Sequence, residues 1–311
     1  MRFFVEGKLW VNNIEVYLEK DGSCTVIDDG RGIPVDLHKS GIPALRVVLT
    51  TLHAGGKFDN ETYKTAGGLH GVGSSVVNAL SSHMTAEVSR DGNVYRDTYE
   101  RGKPTLKLVK NKLPIVGKSK KTGTKINFSP DPEIFAHTKF KADWIKSRLH
   151  ETCYLNPNLH IHFENRTLTT PEIIDYHEPE GLVSFIKELN HGKHTVTKEI
   201  MLKGTLDKTE VEVAIQFIDA FEENILGFCN NIYTQEGGTH LVGFKTKFTQ
   251  LLNSYARQLG SLKEKDENFT GPDTRNGMTA IVAVKYPDPL FEGQTKTKLA
   301  SQDVAKTVST I

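Results

Sequence analysis

A chain of 311 residues, 37% of them apolar, is long enough for two domains with separate cores. Its 39 Lys and Arg against 38 Asp and Glu leave a formal charge of +1, which excludes a global basic field, so any DNA contact has to be local. Three cysteines, Cys24, Cys153 and Cys229, stand far apart without metal-ligand spacing, and the twelve histidines include no helical pair backed by a Glu. A zinc site is therefore not expected, and buried thiols in a reducing, cytoplasmic compartment are. No stretch approaches the ~18 consecutive apolar residues of a membrane span, and no internal repeat is present.

Residues 1–10 are too short and too interrupted by charge for a signal peptide. Residues 14–18 and 24–27 alternate around Asp21-Gly22, the signature of a β-hairpin. Its second strand runs into Asp28-Asp29-Gly30-Arg31-Gly32-Ile33-Pro34. A carboxylate at such a strand end can accept a hydrogen bond from an exocyclic amine, worth ~1.5–3 kcal/mol when a charge is involved; the Asp28-Asp29-Gly30 trio alone reads more readily as a plain Asp-Gly turn. Ala44, Leu45, Val47, Val48 and Leu52 fall at helical spacing. Beyond them residues 53–73 form a long polar, glycine-rich connection, of the length that is usually functional or disordered. Gly67, Gly68, Gly71 and Gly73 close it, and an apolar run over 72–80 reads as a helix. A glycine-rich turn before a helix N-terminus is a phosphate cradle, although such turns also serve tight packing.

A second hairpin is predicted over 84–90 and 93–99 around Asp91-Gly92, with further strands at 105–109 and 124–128 and a basic loop tip at Lys118-Ser119-Lys120-Lys121. Trp144, Ile145, Leu149 and Cys153 are expected to share the face of an amphipathic helix over 141–154 packed on a mainly antiparallel sheet, giving a two-layer α/β sandwich. The polar stretch 165–180 carries the domain boundary, with the first domain taken as 1–170 and the second as 171–311. In the second, a helix is expected at 182–189, strands at 211–218, 224–229 and 279–286, and a long helix over 241–259 after Glu236-Gly237-Gly238-Thr239-His240. The loop Phe291-Glu292-Gly293-Gln294-Thr295-Lys296 follows.

Asp-Asp-Gly-Arg-Gly-Ile-Pro, then Gly-Gly-Leu-His-Gly-Val-Gly, Thr-Gly-Thr and Glu-Gly-Gly-Thr-His in that order closely resemble the ATPase and transducer region of bacterial type IIA topoisomerase B subunits, those of DNA gyrase and topoisomerase IV. The resemblance implies an α+β fold: a two-layer sandwich of the gyrase, chaperone, histidine kinase and mismatch-repair ATPase class, followed by a second α/β transducer domain. It implies ATP and Mg²⁺ as cofactors, double-stranded DNA and a topoisomerase A subunit in an A2B2 complex as partners, B-subunit dimerisation on ATP binding, and no membrane. Asp28 matches the aspartate that binds the adenine amino group, with Thr124 helping through a water. Arg31 and Pro34, with Gly32 and Ile33 between them, resemble the pocket lip, and Arg96 the arginine beside it. Gly68, Leu69, His70, Gly71, Val72 and Gly73 match the phosphate lid, with Lys57 and Tyr63 on its approach. Gln294 and Lys296 match the second-domain loop whose lysine reaches the γ-phosphate.

The departure lies at the start. By family spacing the Mg²⁺-binding Asn falls at Met1 and the water-activating Glu before it, and Glu6 is too close to the hairpin to replace it. The chain alone is therefore expected to be deficient in hydrolysis, and a nucleotide-binding or interaction module without turnover is the alternative. A chaperone or mismatch-repair relative fits the second-domain motifs less well, and a Rossmann site lacks its βαβ unit.

Overall fold

Period-two alternation sets the first sheet, seen in a computed structural model that describes residues 4–5, 8–9, 11–52 and 72–311. Strands β1 (Phe4–Val5) and β2 (Lys8–Leu9) form a two-stranded ribbon. β3 (Asn13–Leu18) and β4 (Cys24–Asp28) make the expected hairpin, its turn closed by Ser23 N donating to the Asp21 carboxylate at 2.9 Å. Helices α1 (Ala44–Thr50) and α2 (Gly73–Ala79) follow. α2 buries Ser75 and Asn78 rather than Val76 and Val77, and Asn78 Nδ2 donates to the Leu49 carbonyl at 2.9 Å, tying α2 to α1.

β5 (Ser81–Arg90) and β6 (Asn93–Glu100) are joined by Asp91 and Gly92, both at left-handed φ (52° and 77°), as a tight hairpin turn requires. β7 (Lys103–Pro104), β8 (Ile115–Lys118) and β9 (Gly123–Pro130) complete the run. The strand expected at 105–109 is absent: the chain turns there, with Lys110 and Asn111 both at left-handed φ (50° and 58°) between the single bridge pair Val109 and Lys112. α3 (Ala142–Tyr154), β10 (His160–Asn165) and β11 (Glu172–Tyr176) follow. The sheet order is β11-β10-β3-β4-β9-β5-β6-β7, with β8 on β6, and its one parallel pair among the described residues is β10 with β3.

One sheet face is apolar and covered by helices. Val16, Leu18, Cys24 and Phe163 pack under Ile145 and Leu149 of α3, while Met84, Ala86, Val88, Tyr99 and Ile126 pack with Leu45 and Leu49 of α1. Burying a side chain such as Phe163 contributes roughly 1.5–3 kcal/mol. Trp144 departs from expectation. It is 71% exposed beneath the Lys141 ammonium, because the buried face runs through Ala142, Ile145, Leu149 and Cys153 and position 144 is about 100° off it.

The chain divides into two compact units, Met1–Pro179 and Glu180–Ile311. Residues 171–179 therefore lie with the first unit rather than the second, because β11 pairs with β10 over Glu172 to Tyr176. In the second unit come α4 (Leu182–Leu189), β12 (Ile200–Leu206), β13 (Thr209–Phe217), β14 (Asn224–Cys229), β15 (Ile232–Tyr233), α5 (Thr239–Gln258), α6 (Gly271–Arg275), β16 (Met278–Lys285) and α7 (Gln302–Thr310). The sheet order is β12-β13-β16-β14-β15. β16 is buried on both faces, between α4 on one side and α5 on the other, which is why it reads as a continuous apolar run. Leu241 and Phe244 of α5 and Val304 and Val308 of α7 close the core over Val211, Val213, Ile215 and Val282.

Candidate functional site

β4 is a central strand, and its last residue brings a charge to the edge of the buried layer. Asp28 lies opposite Ile14 on β3 and Thr124 on β9, and it is 8% exposed. Its Oδ1 accepts from Gly30 N at 2.9 Å, and no other described side chain donates to it. Burial pushes the Asp28 carboxyl above its ordinary value, offset in part by the Gly30 and Thr124 amides. A buried carboxylate held only by backbone amides among the described residues suits a further neutral N–H donor, such as an exocyclic amine.

The chain beyond is clasped back on the hairpin. The Asp29 carboxylate accepts from the amides of Asn12 (2.9 Å) and Asn13 (3.0 Å) and from Asn13 Nδ2 (2.6 Å). Buried Ile33 donates its N–H to Thr124 Oγ1 at 3.3 Å, which brings the Arg31–Pro34 lip against Thr124. Gly123 makes this closeness possible: at φ 153° its backbone lies so near β4 that a Cβ would stand 2.1 Å from the Asp28 carbonyl. Asp28, Gly32, Ile33 and Thr124 are thus brought together, with Pro34 exposed beside them.

Arg96 is not part of this group. Thr124 and Tyr95 both lie opposite Val88, so the next residue on β6 points to the other face of the sheet. There Arg96 donates from Nε (2.8 Å) and Nη2 (2.5 Å) to Glu87, within a polar cleft of about 290 Å³ lined by Thr85, Glu87, Arg96, Thr98, Lys125 and Asn127. The arginine at the lip is Arg90, whose Nη1 donates to the Gly32 carbonyl at 3.2 Å. The sequence carries a signal for this: position 90 is two residues from Val88 on the same strand, whereas pairing across the Asp91-Gly92 turn sets Tyr95 opposite Val88 and so puts position 96 out of phase.

Behind the lip, Asp97 is fully buried, held by Arg46 Nε (2.9 Å) and Nη2 (2.7 Å) and by the Tyr99 hydroxyl (2.7 Å). This network ties α1 to β6. Burial and the adjacent Asp97 push the Tyr99 phenol strongly upward, so it stays a donor.

Lys57, Tyr63, Gly68, Leu69, His70 and Gly71 lie outside the described residues. Val72 and Gly73 open α2, and no hydrogen bond among the described residues joins them to Asp28 or Thr124. In the second unit, Gln294 and Lys296 sit at the tip of a folded-back segment, 290–300. Lys296 is half-buried, and that desolvation lowers its pKa. Among the described residues no group of three or more His, Cys, Asp or Glu is placed to hold a metal ion, and no helix is long and apolar enough to cross a membrane.

Residues 6–134 match the family of histidine kinase-, DNA gyrase B- and HSP90-like ATPases, and residues 181–311 match the DNA gyrase B family. The B subunit of Clostridium acetobutylicum DNA gyrase is 46% identical over 305 residues, covering 97% of this chain and 47% of that protein. The B subunit of Staphylococcus aureus DNA topoisomerase 4 is 45% identical over 304 residues, covering 96% and 45%. The chain thus spans about half the length of the curated relatives it matches. The 43K ATPase domain of Thermus thermophilus gyrase B, solved with an aminocoumarin, superposes with a TM-score of 0.79 at 38% identity, covering 97% of this chain and 76% of that one. The topoisomerase IV ATP-binding domain of Francisella tularensis, solved with a small-molecule inhibitor, gives 0.78 at 30% identity, covering 97% and 79%. The two-layer sandwich, the second α/β unit and these likenesses agree: the chain belongs to the B-subunit family of bacterial type IIA DNA topoisomerases, over its ATPase and transducer region.

Proposed function

We propose that the first unit binds ATP with the adenine amino group on Asp28, and that the second unit transmits the nucleotide's state. The observation that carries this is the buried Asp28 carboxylate held by the backbone of Gly30, beside Thr124, to which the Arg31–Pro34 lip is bonded through Ile33. Gly32 and Ile33 wall the base, Arg90 braces the lip, and the glycine-rich segment ending at Val72 and Gly73 takes the phosphates on the helix N-terminus. Lys296 supplies positive charge for the γ-phosphate, with the neutral amide of Gln294 as a hydrogen-bonding group near it in sequence, and half-burial lowers the lysine's pKa. Mg²⁺ would arrive on the nucleotide's phosphates, its usual mode.

We infer that this region couples ATP binding and hydrolysis to passage of one DNA duplex through another, within an A2B2 complex of the cytoplasm whose B subunits dimerise on ATP. The described residues around Asp28 hold the nucleotide, and none of them is placed to activate the attacking water. Of the two carboxylates described there, Asp29 accepts three hydrogen bonds from Asn12 and Asn13 and Asp28 faces the base, so on this reading neither activates water and turnover through them is slow. Titration of ATP into the chain and its Asp28→Ala variant tests the site: micromolar binding lost in the variant supports it, and equal binding by both refutes it. DNA-stimulated turnover by the isolated chain at the rate of a full-length relative would refute the second statement alone.

A further inference from the structure

Two loops of the second unit that are separate motifs in the sequence, 234–240 and 290–300, form one hydrogen-bonded assembly. Residues 290–300 fold back on themselves: Ala300 N donates to Leu290 O at 2.7 Å, Glu292 N to Lys298 O at 3.1 Å and Lys296 N to Gly293 O at 3.1 Å. Lys296 adopts a left-handed φ of 58°, a conformation that a lysine keeps where its surroundings impose it. The return limb is zipped to the glycine turn. Glu236 N donates to Thr297 O (2.9 Å), Leu299 N to Gly237 O (3.1 Å) and Thr239 N to Leu299 O (3.0 Å). The approach is close enough that a Cβ at Gly238, φ 137°, would stand 2.4 Å from the Leu299 carbonyl oxygen.

The turn is itself held from below. Thr234 donates to the Gly227 carbonyl from both N and Oγ1, each at 2.9 Å, and Gly237 N donates to Thr234 O at 2.8 Å. That hydroxyl has one hydrogen, given to Gly227, so towards His240 Nε2 at 3.1 Å it accepts. The His240 proton is therefore on Nε2, leaving Nδ1 a buried acceptor without a partner. The ring is fully buried, which pushes its pKa down to about 4 and keeps it neutral. Gly227 makes room for it, since a Cβ there would stand 2.4 Å from Nε2.

We propose that Thr234 and His240 are positioning residues for Lys296: they hold the 234–238 turn as a rail to which the limb 297–299 is zipped, and so set where the lysine stands. Neither side chain touches nucleotide. The proposal rests on the reading that Lys296 acts on the phosphates, and its test separates the two. In the full chain, the affinity ratio of a non-hydrolysable ATP analogue to ADP is measured for the wild type, Lys296→Ala, Thr234→Val, Thr234→Ser and the double variant Thr234→Val/Lys296→Ala. Lys296→Ala should lower the ratio about tenfold, the loss of one charge-assisted hydrogen bond. Thr234→Val, which keeps the shape and removes the hydroxyl, should lower it several-fold with ADP affinity unchanged. Thr234→Ser should restore it, and the double variant should fall no further than Lys296→Ala. A wild-type ratio in Thr234→Val, or additive losses in the double variant, overturns the positioning role while the Lys296 reading stands. An unchanged ratio in Lys296→Ala overturns both. Amide exchange on the wild type gives an answer independent of any variant's folding: Glu236, Thr239 and Leu299 should be protected as one cooperative unit, and fast independent exchange at Leu299 overturns the rail.

Discussion

Gly123 and Asp28 approach each other more closely than any residue with a side chain at 123 would permit, 2.1 Å from a Cβ to the Asp28 carbonyl oxygen. Gly123→Ala should therefore push β9 off β4 where the pocket begins. The expected loss is about 1–3 kcal/mol of stability, as for other forced overpacking, together with loss of nucleotide binding. Urea denaturation and ATP titration of the variant check this; a stable variant with wild-type affinity would show that β9 can withdraw without disturbing Asp28.

Asp28 trades stability for binding. Its carboxyl titrates above the ordinary value of 3.8 because burial disfavours the charge. A raised carboxyl pKa contributes stability that is fully present below the unfolded value and is lost as pH rises through the folded one. Asp28→Asn should accordingly melt higher than the wild type near neutral pH, and the difference should shrink as pH falls towards about 4. Each kcal/mol of relief is worth roughly 2–4 °C in a protein of this size. Melting curves across pH decide it, and a variant that melts lower at pH 7 contradicts it.

Arg90 and Arg96 should behave oppositely. Arg90→Ala removes the donor to the Gly32 carbonyl and should weaken ligands that use the lip by about tenfold, the scale of one charged hydrogen bond. Arg96→Ala removes a half-exposed pair with Glu87 on the other sheet face, worth roughly 0.2–1 kcal/mol of stability, and should leave nucleotide affinity within about twofold. Binding titrations of both variants check the assignment.

Arg46→Ala strands the Asp97 carboxylate in the core and should cost about 3–5 kcal/mol in the unfolding transition of the first unit. Arg46→Leu with Asp97→Asn should recover part of that loss. Denaturation followed by tyrosine absorbance measures both; equal stability of Arg46→Ala and wild type would mean that Asp97 finds water or another donor.

Local chemistry makes the hairpins legible: Asp21-Gly22 and Asp91-Gly92 specify turns whose φ values the backbone adopts at Gly22, Asp91 and Gly92. Asp28 comes from the motif likeness rather than from local chemistry, by which Asp28-Asp29-Gly30 reads more readily as a plain turn. What escapes depends on distant partners. β10 pairs in parallel with β3 across the whole first unit, and β11 holds to β10, so nothing near residue 170 announces that the unit continues. Trp144 reads as core by composition, yet a single step of helix rotation leaves it in water. Asp97 carries an unused signal, a charge in phase with Tyr95 and Tyr99 on a buried face, whose partner Arg46 lies fifty-one residues away. Motif likeness places Arg96 at the lip, and strand parity moves it to the other face.

The most direct test of the account is the discrimination between ATP and inosine triphosphate, which replaces the adenine amino group with an oxygen. Isothermal titration of both into the wild type and Asp28→Asn separates the amino-group contact from all phosphate contacts. The account predicts that the wild type prefers ATP by at least about tenfold, because inosine triphosphate sets an acceptor against the buried Asp28 carboxylate, and that Asp28→Asn loses this preference. Equal affinity of the wild type for the two nucleotides, or an undiminished preference in Asp28→Asn, would contradict it.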